Sequence, residues 1–306
     1  MITSSGLNHH PVQWTVLSIC KLATKMARLI RNGKIEIEKF IKIQRLAAMG
    51  VEDVGSPVRY AVVTGANKGI GLETVRQLST AGVTVILTAR NEKRGKEATS
   101  QLHQSGEQCW SSRCCSRRRL AGKAVNVVQD VIKTNYEAAK VCLDTNYYGV
   151  KNVTEALLPL QQRSISGARI VNVSSLRSEL NRIPSKQRRK ELGDRDTLTE
   201  EKINAILQQF LQDLKHDALE ANGWQMMVPA YSISNATLNA YTRVVAKKFP
   251  NMGINCVHPG FVKTDLNFNT GTMTVEEGAA GPVMLSLLPQ GGPTGCYFDI
   301  TKDAEF

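Results

Sequence analysis

Three glycines in the stretch RYAVVTGANKGIG, residues 59–71, have the spacing of a phosphate-binding loop. Gly65, Gly69 and Gly71 follow a short β-branched run and lead into an apolar helical pattern that ends near Gly82. Glycine permits a tight turn and close approach of the backbone, while the unpaired N–H groups of a helix N-terminus attract a pyrophosphate. The order strand, glycine turn and helix therefore predicts a dinucleotide site, and the alternative is a structural turn without a ligand.

The end of the next buried strand indicates which dinucleotide. Val83–Thr88 is predicted as the second parallel strand, and it is followed by Ala89 and Arg90 rather than by an acid for the ribose 2′-hydroxyl. Arg90, with Lys68 in the glycine loop, is placed to meet a 2′-phosphate, so NADP(H) is favoured. Two solvated surface cations are the alternative. The cofactor-binding residues predicted in this unit are Gly65, Asn67, Lys68, Gly69, Ile70, Gly71 and Arg90.

The chain that must position this site has 306 residues, which suits one large α/β domain with extensions or two small domains. Its net charge of +12 is concentrated in two segments, since residues 1–50 contribute +6 and residues 107–123 contribute +4. The remainder is nearly neutral. The basic run Arg117–Arg119 belongs to no recognisable nucleic-acid-binding fold, so no nucleic-acid partner is predicted. No apolar run reaches the ~20 residues that span a bilayer, so no membrane span is predicted.

Cysteine usage and the N-terminus bear on metal binding and on location. The seven cysteines contain no CxxC pair, so their spacing matches no common zinc ligand set and no metal is predicted. Reduced thiols favour the cytoplasm. The first 35 residues are basic and lack any acid, which is typical of organelle-targeting peptides, so organelle targeting is the alternative. Residues 1–56 are predicted to be a poorly ordered or helical basic extension.

The motifs TGANKGIG and LTAR together resemble the short-chain dehydrogenase/reductase family. Within it, the chain is similar to the carbonyl-reductase-like branch that includes plant menthone/neomenthol and salutaridine reductases. The likeness covers about residues 59–105 and 134–306. It implies a Rossmann-like, doubly wound parallel sheet in a single α/β domain, residues 57–306. It also implies NADPH-dependent reduction of a ketone or aldehyde of a small apolar molecule, terpenoid- or alkaloid-like.

The resemblance assigns catalytic roles to four positions. Tyr231 matches the tyrosine that gives a proton to the carbonyl oxygen, and Ser175 matches the serine that hydrogen-bonds this carbonyl. Asn146 matches an asparagine that holds a water; the alternative is a polar residue at a helix irregularity beside Gly149. Asn235 stands where the family has a lysine that holds the ribose hydroxyls and lowers the tyrosine pKa.

The replacement of lysine by Asn235 puts the activity in question. Asparagine can hydrogen-bond a ribose hydroxyl but brings no charge, whereas a neighbouring cation shifts a pKa by about 1–3 units. We expect nucleotide binding to survive in part and turnover to fall. The alternative function is therefore that of a catalytically impaired NADP-binding relative.

The segment from His258 to Thr264 is similar to the family's Pro-Gly segment, which lines the nicotinamide. The resemblance implies cofactor contacts from Pro259, Gly260, Val262 and Thr264.

Residues 107–123 depart from the family pattern. They are rich in Cys, Ser and Arg, and they lack the family's third strand, the following helix and the fourth strand ending in Asn-Asn-Ala-Gly. We expect this irregular segment to replace sheet elements, so that the central sheet loses an interior strand or receives a poor substitute.

A long helical insert is predicted over residues 176–225. Its core, Thr197–Leu214, opens with a capping box of Thr197 and Glu200 and continues with one apolar face. It resembles the insert of the carbonyl-reductase branch, which covers the face that other members use to oligomerise. A monomer is therefore predicted, and the alternative is an amphipathic helix that binds a partner.

Overall fold

The computed structural model describes residues 12–19, 58–89, 91–104, 109–111, 135–164 and 167–306. In this part of the chain, eight strands form one sheet in the order β4-β3-β2-β1-β5-β6-β7-β8. All neighbours are parallel except β7 and β8. The strands are β1 (Val12–Ile19), β2 (Val58–Val63), β3 (Thr84–Leu87), β4 (Cys109–Ser111), β5 (Arg169–Val173), β6 (Gly253–His258), β7 (Tyr297–Asp299) and β8 (Lys302–Ala304).

Helices connect the strands and cover both faces of the sheet. They are α1 (Gly69–Thr80), α2 (Glu92–Gln104), α3 (Tyr136–Leu143), α4 (Gly149–Gln161), α5 (Lys186–Gly193), α6 (Glu200–Lys215), α7 (Pro229–Lys248) and α8 (Val275–Ser286). A π-helical turn, Asp144–Tyr148, joins α3 to α4. Three short 3₁₀ helices span Leu176–Ser178, Leu180–Arg182 and Asp265–Asn267.

Two apolar cores lie on opposite faces of the sheet, because successive side chains of a strand point to opposite sides. Ile170 of β5 packs in the core that contains α3, α6 and α7. Val171 and Val173 of the same strand point to the other side and pack in the core that contains α1, α2 and α8. Helices on both faces of a parallel sheet define a doubly wound α/β fold, as predicted.

The N-terminal strand corrects the prediction for residues 1–56. The segment Val12–Ile19 is neither helical nor poorly ordered, because it is an interior strand between β2 and β5. The prediction followed the acid-poor basic pattern of the leader and did not weigh the β-favouring residues of VQWTVLSI. The other residues of the extension lie outside the described ranges.

The irregular segment 107–123 contributes one short strand to the sheet. Cys109–Ser111 pairs with β3 at the sheet edge, while residues 112–134 lie outside the described ranges. Together with β1, this strand gives the sheet a continuous series of pairings from β4 to β8. The expectation that the central sheet loses an interior strand is therefore wrong for the described sheet.

The helical insert is present, but its start differs from the prediction. Helix α6 begins at Glu200 with Thr199 as its N-cap, whose side chain accepts a hydrogen bond from the Lys202 amide. The predicted capping box of Thr197 and Glu200 is wrong, because the Thr197 hydroxyl donates to Asp194 at 2.7 Å. The Glu200 carboxylate instead pairs with lysines of neighbouring helices.

The apolar face of α6 is covered by the chain itself. Phe210 packs edge-on against Trp224 with ring centroids 5.2 Å apart. The Trp224 indole N–H in turn donates to the buried Asp213 at 2.7 Å. The alternative of an exposed partner-binding helix is therefore wrong for this face, whose buried residues are Ile203, Ile206, Leu207, Phe210 and Leu211.

Candidate active site

The glycine loop has the geometry of a phosphate cradle. Gly65 and Gly69 adopt φ angles of +67° and +56°, a region that side chains other than glycine's rarely adopt. A Cβ added to Gly71 would lie 2.7 Å from the carbonyl oxygen of Gly65, so the turn and α1 approach each other too closely for a side chain. Lys68 at the N-cap makes no side-chain capping hydrogen bond to α1. The loop and helix end therefore fit the diphosphate of a dinucleotide.

The end of β3 holds the glycine loop in place. The Ala66 amide donates to the Thr88 carbonyl at 3.1 Å, and the Thr88 amide donates to the Val63 carbonyl at 3.0 Å. Asn67 and Ile70 are half-buried at the surface of this loop. Arg90, the residue predicted to meet a 2′-phosphate, lies outside the described residues, so its role stays a prediction.

Lys68 forms an ion pair that the sequence did not predict. Its ammonium group pairs with the carboxylate of Asp265, which follows β6, and the two side chains are 57% and 65% exposed. An exposed pair of this kind contributes about 0–1 kcal/mol, so a phosphate group can compete for the lysine. The pair connects the glycine loop to the Pro-Gly segment.

The Pro-Gly segment lies directly against the glycine loop. A Cβ added to Gly69 would lie 3.4 Å from Thr264 Cγ2, which places Thr264 beside the phosphate cradle. Gly260 has a φ of +88°, and a Cβ there would clash with the sulfur of Met273. Pro259 and Val262 are buried beside it.

Asn267 fixes this segment and was missed by the sequence analysis. Its side-chain oxygen accepts from the Thr264 amide at 3.2 Å, and its Nδ2 donates to the Val262 carbonyl at 2.9 Å. The signal was available, since Thr264 and Asn267 have the spacing of a capping box.

Asn146 lies within the π-helical turn, so the predicted helix irregularity beside Gly149 is present. Such turns are frequent at functional sites. The side chain is buried, and its Nδ2 donates to Ser234 Oγ of α7 at 3.0 Å and to Cys142 Sγ at 3.5 Å. Burial raises the pKa of Cys142 to about 11, so this thiol is protonated at neutral pH.

Tyr231 and Asn235 lie one turn apart at the start of α7. Asn235 is 2% exposed, and its Nδ2 donates to the Tyr231 carbonyl at 2.8 Å. Asn235 therefore bonds to its own helix, a local interaction that a polar side chain can make inside a helix. Ser234 Oγ also donates to the Tyr231 carbonyl, at 2.8 Å. Because the same hydroxyl accepts from Asn146, Ser234 links Asn146 to the helical turn that contains Tyr231.

Ser175 lies immediately beyond β5, where ligand chemistry gathers in parallel sheets. It is buried, and its hydroxyl accepts a hydrogen bond from the Arg177 amide at 3.2 Å. The following 3₁₀ helix is bound to α7, because Asn239 Nδ2 donates to Ser178 Oγ at 2.7 Å. The Ser178 hydroxyl donates in turn to the Ser175 carbonyl at 2.5 Å.

A buried polar stripe on α7 therefore connects the elements that carry Asn146, Ser175 and Tyr231. Besides Ser234 and Asn239, it contains Thr242, whose hydroxyl accepts from Asn172 Nδ2 of β5 at 2.9 Å. Sequence reasoning missed these positions. The signal was the polar series 235, 239 and 242, which follows one helical face.

Val228 is a strained position just before the tyrosine. It adopts a φ of +46° as the N-cap of α7, with Pro229 following. The left-handed region costs a residue other than glycine about 1–2 kcal/mol, so the surrounding packing must hold this turn.

Among the described residues, no cluster of three or more His, Cys, Asp or Glu side chains could hold a metal ion. In the same part of the chain, no helix is long and apolar enough to cross a membrane.

Known proteins match both the sequence and the fold. A family profile described as short chain dehydrogenase matches residues 59–131. Short-chain dehydrogenase/reductase 1 of Saponaria officinalis is 46% identical, covering 78% of this chain and 93% of that protein. The (+)-neomenthol dehydrogenase of Arabidopsis thaliana is 39% identical, covering 81% and 98%. The structure of salutaridine reductase from Papaver somniferum matches with a TM-score of 0.69 at 36% identity, covering 79% and 99%.

The chain belongs to the short-chain dehydrogenase/reductase family. The predicted family and the predicted Rossmann-like fold are both confirmed. Membership makes the chain a relative of small-molecule oxidoreductases.

Proposed function

We propose that this chain is an NADP(H)-dependent oxidoreductase that reduces the carbonyl group of a small apolar molecule, of the terpenoid or alkaloid kind. The observation that carries the proposal is the buried polar stripe of α7. Through Ser234 it contacts Asn146, and through Asn239 it contacts the 3₁₀ helix that follows Ser175. Tyr231 lies in the first turn of the same helix, so one helix carries or contacts the elements of all three predicted catalytic residues.

Each residue of the site has a role in this reaction. Bound NADPH would supply the hydride. The glycine-loop amides and the N-terminus of α1 would hold its diphosphate, with Thr264 beside them. Tyr231 would give a proton to the carbonyl oxygen while Ser175 hydrogen-bonds that oxygen, and Asn146 would hold a water for proton return.

The preference for NADP(H) rests on the absence of an acid after β3 and on the cations Arg90 and Lys68. Lys68 forms a solvent-exposed ion pair with Asp265. Because such a pair is weak, Lys68 can exchange Asp265 for a 2′-phosphate.

The choice of an apolar substrate rests on two loops next to site residues in the chain. One loop leads into Tyr231 at the start of α7, the other contains the Pro-Gly segment after β6, and both expose large apolar side chains. These side chains are 46–59% exposed, and they are Met226, Met227, Phe261, Leu266 and Phe268. Exposed apolar side chains in such loops would suit an apolar ligand. The names of the two relatives, neomenthol dehydrogenase and salutaridine reductase, support the same substrate class.

The second candidate is a catalytically impaired NADP-binding relative. It is favoured by Asn235, which has no charge with which to lower the Tyr231 pKa and which is bound to the Tyr231 carbonyl. This candidate and the first share the cofactor site and differ only in turnover.

Two measurements test the proposal and separate the candidates. Fluorescence of NADPH titrated with the protein measures cofactor binding, and NADPH oxidation in the presence of menthone measures turnover. The reductase predicts both binding and menthone-dependent oxidation, whereas the impaired relative predicts binding alone. A protein that binds no NADPH would contradict both.

A further inference from the structure

The N-terminal strand β1 occupies an interior position in the sheet. It pairs in parallel with β2 from Val12↔Val58 to Leu17↔Val63, and with β5 from Thr15↔Arg169 to Ile19↔Val173. Val16 is paired on both sides, with Val62 and with Ile170. The backbone N–H and C=O groups of β1 therefore form hydrogen bonds with two neighbouring strands.

β1 also connects two halves of the sheet that carry different parts of the site. One half, β2 to β4, carries the glycine loop, and the other half, β5 to β8, carries Ser175 and the Pro-Gly segment. Thr15 is 5% exposed, and its hydroxyl donates to the Ser286 carbonyl at the end of α8 at 3.3 Å. Without β1, both β2 and β5 would present unpaired N–H and C=O groups in the middle of the protein.

The width of the strand sets the spacing of the site. Leu17 is level with Val63, just before the glycine loop, and Ile19 is level with Val173, just before Ser174 and Ser175. β1 therefore separates the phosphate cradle from Ser175 by two strand spacings, each about 4.8 Å. Closing the gap directly would move the two by about 5 Å, whereas a misplacement of about 1 Å already impairs catalysis.

We propose that the gap between β2 and β5 is a strand-acceptor site, and that residues 12–19 of the same chain are the segment that fills it. This N-terminal segment thus completes the sheet and holds the two halves of the site at their working distance. The assignment of residues 12–19 to the sheet does not depend on the proposed function, whereas the effect on catalysis rests on the proposed function.

Hydrogen exchange read by mass spectrometry on the intact chain tests the occupancy directly. Amides of residues 14–19 should exchange on the order of 1000-fold more slowly than in an unstructured peptide, as slowly as those of β5. Exchange of these amides at the unstructured rate, while β5 stays protected, would overturn the proposal. Loss of β1 protection when a dimer of the chain is diluted to monomer would assign the strand to a second copy and overturn the same-chain assignment.

A proline variant tests the consequence, with a matched control. Val16→Pro removes a ladder hydrogen bond in an interior strand, so the melting temperature should fall by about 6–12 °C and β2 and β5 should lose protection. Asp303→Pro places proline in the edge strand β8, where it should lower the melting temperature far less. Equal effects of the two variants would overturn the proposal. If Val16→Pro does not fold, exchange in the wild-type chain decides alone, and neither readout depends on enzymatic activity.

Discussion

At the scale of single residues, the proposed role of Tyr231 as an acid depends on Asn235. A lysine at this position would bring a positive charge within one helical turn of the tyrosine, and a neighbouring cation lowers a phenol pKa. We predict that Asn235→Lys raises the rate of menthone-dependent NADPH oxidation by about 10²- to 10⁴-fold, the range in which acid–base catalysis contributes. The initial rate of NADPH oxidation measures this change.

Asn235→Gln is the matched control, because it keeps an uncharged amide at the same place and should give no gain. A binding titration must accompany both variants. If Asn235→Lys binds NADPH as well as the wild type does and still shows no gain, the missing lysine is not the limiting defect.

The ion pair of Lys68 with Asp265 bears on the choice between NADPH and NADH. Asp265→Asn frees the lysine for a 2′-phosphate, and an exposed pair of this kind is worth about 0.2–1 kcal/mol. The dissociation constant for NADPH should therefore fall by up to about fivefold. The dissociation constant for NADH, which lacks the 2′-phosphate, should not change. Fluorescence titration with both nucleotides measures this difference. Asp303→Asn controls for net charge, and an equal change for NADH and NADPH would refute the role of Lys68.

At the scale of elements, one carboxylate links the start of the insert helix α6 to two other helices. Glu200 at the start of α6 pairs with Lys151 of α4 and with Lys248 of α7, the latter at 2.9 Å. Burial alone would raise the pKa of Glu200, but the two lysines outweigh it and lower the pKa below its ordinary value of 4.5. A lowered pKa in the folded state means that the carboxylate stabilises the fold above this value and loses its contribution as the pH falls.

We therefore predict that Glu200→Gln lowers the free energy of unfolding by about 1 kcal/mol at neutral pH. The difference from the wild type should shrink as the pH falls from about 5 to about 3. Urea unfolding at several pH values measures it. Glu155→Gln is the control, because Glu155 also pairs with Lys151 but is more exposed than Glu200. A difference that is constant with pH would mean that Glu200 acts through packing and not through its charge.

At the scale of the whole molecule, local patterns and long-range pairings differ in how well the sequence predicts them. The unit from Arg59 to Gly82 was predictable because strand, glycine turn and helix are adjacent in the chain. The strand before Ser175 was predictable from its β-branched run. The place of Val12–Ile19 was not, since residues 20–57 separate it from β2 in the chain and no local pattern selects β5 as its second neighbour.

The same limit applied within the site. The resemblance gave Asn146, Ser175 and Tyr231, but it did not give the contacts that orient them, because Asn239 and Ser178 are 61 residues apart. The pairing of Lys68 with Asp265 spans 197 residues and was unpredictable for the same reason. Residues within one turn or strand are specified locally, whereas their partners depend on how distant elements pack.

The covered apolar face of α6 bears on the oligomeric state of the protein. Ile203, Leu207 and Phe210 pack against the chain's own helices, so this face of α6 is not available to a second copy. We predict a monomer with a mass of 33.7 kDa by native mass spectrometry and by sedimentation at micromolar concentration and above. Leu207→Asp should unfold or loosen the insert and expose its apolar face, and the resulting species should self-associate. A wild-type dimer at micromolar concentration would show that another surface mediates assembly, and the monomer prediction would then be wrong.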